Sequence, residues 1–285
     1  MSDKFSKVLS VNTTFGVGNS ELNYSTILDP LHFVLICGFA QEGIFGYFRE
    51  TRRCLRSEFG NPRVSTVHLH SPHPPARNVE PLRLKLLKLH HSGGGRPLVL
   101  LAHSQGGIVA TVCLLRHPEL LREGIVDRLI TVQTPFAGSL IVDLLIQKVP
   151  FLGRYAGLSS LRTDVMKSFI LAETTRFSHE APPEDQALLK SRLLFVRSSR
   201  AAAGPVHWLL RSAHRYLNAF GPNDGFLLES SQLLPEFGTD LGVLEADHTD
   251  LLYPVWMSGT GPKPKHAFTQ ALIAEILEKP APTDA

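Results

Sequence analysis

Cysteine is scarce in this chain, three residues among 285, and none of the three is placed for chemistry. Cys37, Cys54 and Cys113 have no metal-ligand spacing, and Cys37 and Cys113 sit in apolar runs. That argues against a cysteine-built metal centre and points to buried thiols in a reducing compartment. Long hydrophobic runs are missing too: no uninterrupted apolar stretch reaches the ~20 residues that a membrane span needs. Charge is sparse, at 19% of residues with a net +3, and no dense Lys/Arg block forms. The short clusters Arg52 to Arg56 and Arg197 to Arg200 read as solvated edges, so nucleic acid is not an expected partner. The opening "MSDKFSKVLSVNTTFGVGNS" lacks the apolar core and small-residue cleavage site of a secretory signal. A cytoplasmic location is expected, with secretion by a route without a cleaved signal left open. No repeat or low-complexity tract divides the chain, so one domain over 1–285 is expected.

What is present is an alternation of strands and helices. "FVLICG", "RVSTVHLH", "LVLLA", "DRLITV", "SRLLFVRSS" and "LGVLE" read as strands, the first pair of histidines alternating along the second. Between them lie helical patterns, such as "NVEPLRLKLLKLHHS" closed by Gly93, Gly94 and Gly95, and a terminal "KHAFTQALIAEILEK". This order predicts an α/β fold: a mostly parallel central sheet, helices on both faces, and function at the carboxyl ends of the strands. About fifty residues separate "PFAGS" from "SRLLFV", more than one crossover helix requires. The segment 140–190 is either extra helices on the sheet edge or a helical cap over the site. Its departure from the functional end of the sheet favours the cap.

The stretch "RPLVLLAHSQGGIVATVCLL", residues 96 to 115, carries the chemistry. An unbroken apolar strand ends in a polar knot and continues at once as a helix, with Ser104 at the tip of the turn. Ala102 and Gly106, two residues to either side, let strand and helix pack closely. A serine nucleophile needs a histidine base, a carboxylate to orient it, and two backbone donors for the oxyanion. The chain offers Asp224 in the turn "GPNDG" and His248 in "ADHTDLL", in the order serine, acid, histidine. His266, opening the terminal helix, and His214, in a helical stretch, are the weaker rivals for the base. His68, His70 and His73 have no carboxylate nearby, and no metal or cofactor is expected. Gly38 permits close backbone approach after the first strand. The N–H groups of Phe39 and Gln105 are the candidate oxyanion donors.

Five segments together resemble the α/β-hydrolase superfamily, in its lipase and esterase branch: "CGFA", "AHSQGG", "VQTPFAGS", "GPNDG" and "ADHTDLL". They cover the catalytic skeleton from about residue 32 to 275. Two positions depart from the family pattern. Ala102 replaces the first glycine of Gly-x-Ser-x-Gly, as in some bacterial lipases. Cys37 stands where relatives usually have a histidine, which leaves the hydrogen bonding behind the oxyanion loop unassigned. The resemblance implies a serine-dependent carboxylic-ester hydrolase acting through an acyl-enzyme. The apolar residues Phe151, Leu152, Leu158 and Leu161 suggest a hydrophobic acyl group. The expected partner is a small-molecule or lipid ester, with transient contact at a lipid surface compatible and the oligomeric state open. Acyl transfer or thioester cleavage would use the same residues. A catalytically silent binding protein fits less well, because serine, acid and histidine are all present.

Overall fold

The computed structural model describes residues 28–60 and 63–278, so the opening segment read for a secretory signal lies outside it. Six strands form one sheet: β1 (His32–Ile36), β2 (Arg63–Val67), β3 (Leu98–His103), β4 (Val126–Val132), β5 (Leu193–Ser199) and β6 (Thr239–Glu245). Their order is β2-β1-β3-β4-β5-β6, and every pairing is parallel. Ten helices accompany them among the described residues. The first five are α1 (Arg49–Glu58), α2 (Pro75–Ser92), α3 (Gln105–Arg116), α4 (Glu119–Arg122) and α5 (Leu140–Lys148). The rest are α6 (Ala156–Ser159), α7 (Thr163–Glu180), α8 (Pro183–Arg192), α9 (Arg211–Leu217) and α10 (Pro262–Glu278). No helix among the described residues is long and apolar enough to cross a membrane.

Strand β3 shows why its run is apolar throughout. Leu98, Leu100 and Ala102 join the core built with α2, α3, α7 and α8. Val99 and Leu101 point the other way, into the core shared with α1 and α10. With both faces covered, neither set of alternate positions can be polar. The edge strand β2 stops sooner than its sequence pattern suggests. Its ladder runs out where β1 does, at Ile36 paired with Val67. His68 and His70 therefore lie beyond the strand: His68 Nδ1 pairs with Gln41 Oε1 at 3.0 Å, and the His70 ring packs on His73.

The segment between β4 and β5 has two parts with different attachments. Helices α7 and α8 cover the sheet. Arg116 of α3 grips Glu173 of α7 through two hydrogen bonds, and Arg122 reaches Asp185 of α8 at 2.8 Å. Residues 140–161 instead make an excursion that returns on itself, with Ser139 N–H donating to Leu161 O at 2.9 Å. Its tip touches the loop after β2, where Gly157 N–H donates to Pro72 O at 2.8 Å. The two attachments straddle the carboxyl ends of β3 and β1.

A Cβ at Gly157 would lie 1.9 Å from Ser71 O and 2.9 Å from Pro72 C, both backbone atoms. Gly157→Ala should therefore lift this lobe while leaving the sheet intact, at a cost of roughly 1–3 kcal/mol of local stability. Hydrogen exchange is the check: amides of 140–161 should exchange faster and those of β3 and α3 should not. Unchanged exchange in the lobe would contradict the docking role of Gly157.

Candidate active site

Ser104 joins β3 to α3 in a single residue, with φ 52° and ψ −128°. A positive φ is strained for any residue but glycine, and persists only where the surroundings impose it. Here the helix lies directly on the sheet. A Cβ at Gly106 would come within 2.5 Å of Cys37 O, and one at Gly107 within 1.9 Å of Thr134 Oγ1. Ala102 is fully buried on the strand side, so the alanine supplies the small residue that the turn needs. Thr134, in the "TPFAGS" turn after β4, is thus the floor on which the start of α3 rests.

Asp224 and His248 arrive from the loops before and after β6. His248 Nδ1 lies 2.8 Å from Asp224 Oδ2, and His248 Nε2 lies 3.3 Å from Ser104 Oγ. Asp224 is wholly buried, and its charge is met by donors. Oδ1 accepts from the N–H groups of Phe226 (2.9 Å) and Leu227 (2.7 Å). Oδ2 accepts from Ser198 Oγ (3.3 Å) and Gln232 Nε2 (3.5 Å) besides the imidazole. The loop that carries His248 is fixed as firmly. His248 N–H donates to Asp224 O at 2.9 Å. Asp247 Oδ1 holds Thr249 N–H, Asp250 Oδ2 holds Asp247 N–H, and Arg200 caps Asp250 at 2.7 Å. Lys265 of α10 donates to the carbonyls of Thr249 and Asp250, and its burial pulls the ammonium pKa down to about 8.

The loop after β1 sits against the serine. A Cβ at Gly38 would lie 3.0 Å from Ser104 Cβ, and the neighbouring Ala40 has a left-handed φ of 57°. Among the described residues, neither the Phe39 N–H nor the Gln105 N–H donates to a protein acceptor. The rivals for the base go elsewhere. His266 pairs with Glu50 (3.3 Å) and Glu58 (3.2 Å), and His214 faces Arg200 O. Cys54 joins Glu58 and His266 in the single grouping of metal-ligand types among the described residues. Sequence spacing concealed it, because α1 and α10 bring it together across 212 residues.

Several polar residues at the site escaped the sequence reading. His103, Gln133, Ser198 and Gln232 are all buried beneath the triad. Gln133 carries a left-handed φ of 52°, another strained residue at the carboxyl end of the sheet. His103, beside the serine in "AHSQGG", had a visible signal in its position alone. Its ring centroid lies 5.0 Å from that of His248. Burial, then the nearby His248, hold its pKa well below 6.5.

That depression has a sign. Below pH 6.5 an unfolded His103 takes up a proton that the folded one refuses, so stability falls as pH drops through that value and is unaffected above it. One such proton changes unfolding free energy by about 1.4 kcal/mol per pH unit. Urea unfolding between pH 4.5 and 7.5 should show this slope reduced in His103→Gln. Equal slopes in both proteins would count against a neutral, buried His103.

No protein-family model matches the chain, and no curated protein matches it. Solved structures do. The lipase BlEst2 of Bacillus licheniformis, in its mature form, is 26% identical, with a TM-score of 0.60 over 76% of this chain and 84% of its own. The metagenomic carboxyl esterase MGS0156 is 17% identical, with a TM-score of 0.68 over 88% of this chain and 76% of its own. Parallel sheet, elbow and neighbours agree: the chain has the α/β-hydrolase fold.

Proposed function

We propose that this protein is a serine-dependent carboxylic-ester hydrolase with Ser104, Asp224 and His248 as its triad. The observation that carries the reading is the unbroken hydrogen-bonded line from Asp224 through His248 to Ser104, at 2.8 and 3.3 Å. Ser104 Oγ attacks the ester carbonyl while His248 Nε2 takes its proton. The imidazolium then protonates the departing alkoxide, leaving an acyl-serine. Water attacks the acyl carbon with His248 again as base, and the acid is released with Ser104 restored. Asp224 orients the ring and faces the charge that forms on it. The N–H groups of Phe39 and Gln105 are assigned to the oxyanion; losing one such donor typically costs about 3 kcal/mol.

Ser104→Ala should keep its circular dichroism spectrum and lose at least a thousandfold in kcat on p-nitrophenyl butyrate. His248→Ala should fall comparably, whereas His266→Ala should stay within about tenfold of wild type. A Ser104→Ala protein with a tenth or more of the activity would end the nucleophile assignment.

The lobe 140–161 is assigned as a cap. Ser104 is 4% exposed and His248 5%, so access to the serine is narrow and a lobe beside it can govern entry. Leu158 and Phe39 pack on the same core, whereas Phe151 and Tyr155 are more than half exposed. A hydrophobic acyl chain is the substrate feature such a lobe would favour, at ~0.8 kcal/mol per buried methylene. In that case kcat/KM rises from acetyl to medium-chain esters, and Leu158→Asp flattens the rise without unfolding the protein. An unaltered chain-length profile in a stable Leu158→Asp protein would remove the cap assignment. The three free, buried cysteines suit a reducing compartment, so the reading extends to the cytoplasm.

A further inference from the structure

The polar chain beneath the triad has a defined direction, because its ends are backbone groups that can act in one way only. The Asp247 carbonyl accepts, so the Gln133 side-chain nitrogen 2.8 Å away is the donating end of that amide. The amide oxygen then accepts from His103 Nε2 at 2.9 Å, which puts the imidazole proton on that nitrogen. His103 Nδ1 is left as the acceptor, and the Tyr47 hydroxyl donates to it across 2.5 Å. The same hydroxyl accepts from Gly38 N–H at 3.3 Å, and that amide can only donate. From the Gln133 nitrogen a second branch donates to Ser198 Oγ at 2.6 Å, whose own proton goes to Asp224 Oδ2. Each proton along this line is thereby assigned, and the Tyr253 hydroxyl is a further hydrogen-bond neighbour of the Tyr47 hydroxyl.

We propose that Tyr47, His103 and Gln133 are positioning residues that hold the oxyanion loop in register with the Asp224–His248 pair. The proposal rests on the ester-hydrolase reading above. The chain begins at Gly38, directly before the assigned donor Phe39, and ends on the carboxylate behind the base. In between it passes under Ser104, running from the end of β1 past β3 and β4 to Ser198 of β5. The Cys37 thiol is a poor substitute for a histidine here, because sulfur is a weak donor. Tyr47, from the loop before α1, supplies the missing hydrogen bond instead. The left-handed backbone at Gln133 fits the same role, since strain of this kind is kept where a side chain must be aimed. Plain satisfaction of buried polar groups is the competing account. It affects stability alone, whereas misplacing an oxyanion donor affects the transition state.

Tyr47→Phe separates the two, because it keeps the ring packed on Phe48, His103 and Tyr253 and removes only the hydroxyl. Functional enzyme is counted by stoichiometric labelling of Ser104 with a fluorophosphonate. Kinetic constants on p-nitrophenyl butyrate are then expressed per labelled site, well below the melting temperature. The inhibition constant of butylboronic acid, which adds Ser104 Oγ and copies the tetrahedral intermediate, is measured alongside. The expected result is a fall in kcat of about 10- to 100-fold with KM within threefold, and weaker boronate binding by a similar factor. Should Tyr47→Phe fail to fold, Ser198→Ala breaks the chain at its other end and is expected to show the same pattern. A lowered melting temperature with unchanged kcat per site and unchanged boronate affinity overturns the proposal. A wild-type protein that neither hydrolyses the ester nor is labelled overturns the hydrolase reading, and this proposal with it.

Discussion

The contact on which the site depends is the bare backbone approach of α3 to β1 at Gly106. Any side chain there would drive into the carbonyl of Cys37, and the helix would have to rise off the sheet. With the helix pressed down, the chain has one residue in which to turn from strand to helix, and that residue takes the left-handed conformation of Ser104. The rest of the machinery inherits its position from this turn. The Gln105 amide is placed at the start of a helix, where N–H groups are free of intrahelical partners. Gly38 is brought against Ser104 Cβ, so the loop after β1 must itself lack a side chain at that point. Thr134 closes the other side, under Gly107. Three strand ends are therefore fixed by steric exclusion before any hydrogen bond is counted.

The second constraint is the buried charge of Asp224. A carboxyl group with no exposure needs donors in place of water, and here two amides, a hydroxyl, a carboxamide and an imidazole surround it. Those donors come from the turn that carries Asp224 itself, from β5, from the stretch before β6 and from the base loop. Satisfying one charge thus ties the last third of the chain together. Helix α10 contributes through Lys265, whose ammonium group caps carbonyls of the loop that presents His248. Burying a lysine is costly, and burial accordingly lowers its pKa to about 8. The loop it holds is the one that carries the base.

How much of this could be read from the sequence follows from the range of each interaction. The strands and α3 were legible because burial on both faces writes an unbroken apolar run. Ser104 was legible because a strand-turn-helix with small flanking residues is a local pattern. Asp224 and His248 were candidates by their order and their turns, and the structure places them in line with Ser104. Tyr47 and Gln133 left no such trace: each meets His103 from a different strand end, across 56 and 30 residues, and a tyrosine or glutamine in a loop is ordinary. The end of β2 was misjudged for a related reason. Its alternation runs on to His70, but pairing is decided by the neighbour, and β1 stops at Ile36. His266 looked available as a base until α1 supplied two carboxylates for it.

The distribution of contacts also separates what is held from what is free to shift. Along the line from Gly38 through His103 and Gln133 to Asp224, polar groups are matched donor to acceptor, and a displacement of any one would leave another buried without a partner. Above it, the tip of the lobe 140–161 meets the loop after β2 through one backbone hydrogen bond and the fit of a glycine. Exposed Phe151 and Tyr155 near that tip contribute little burial to hold it down. Low local stability is the property that distinguishes elements able to open from those that cannot. In the proposed reading the tip of the lobe is the part that moves, because lifting it breaks one hydrogen bond while Ile141, Val142 and Leu161 at its base stay buried in the core. Opening the floor instead would strand a carboxylate, two imidazoles and an amide in the core. The rigid polar floor and the lightly docked roof are therefore complementary. In that reading the floor keeps Phe39, Gln105 and His248 in register while the tip of the roof lifts to admit an ester, since among the described residues the tip's hydrogen bond goes to Pro72 and not to Ser104, Asp224 or His248.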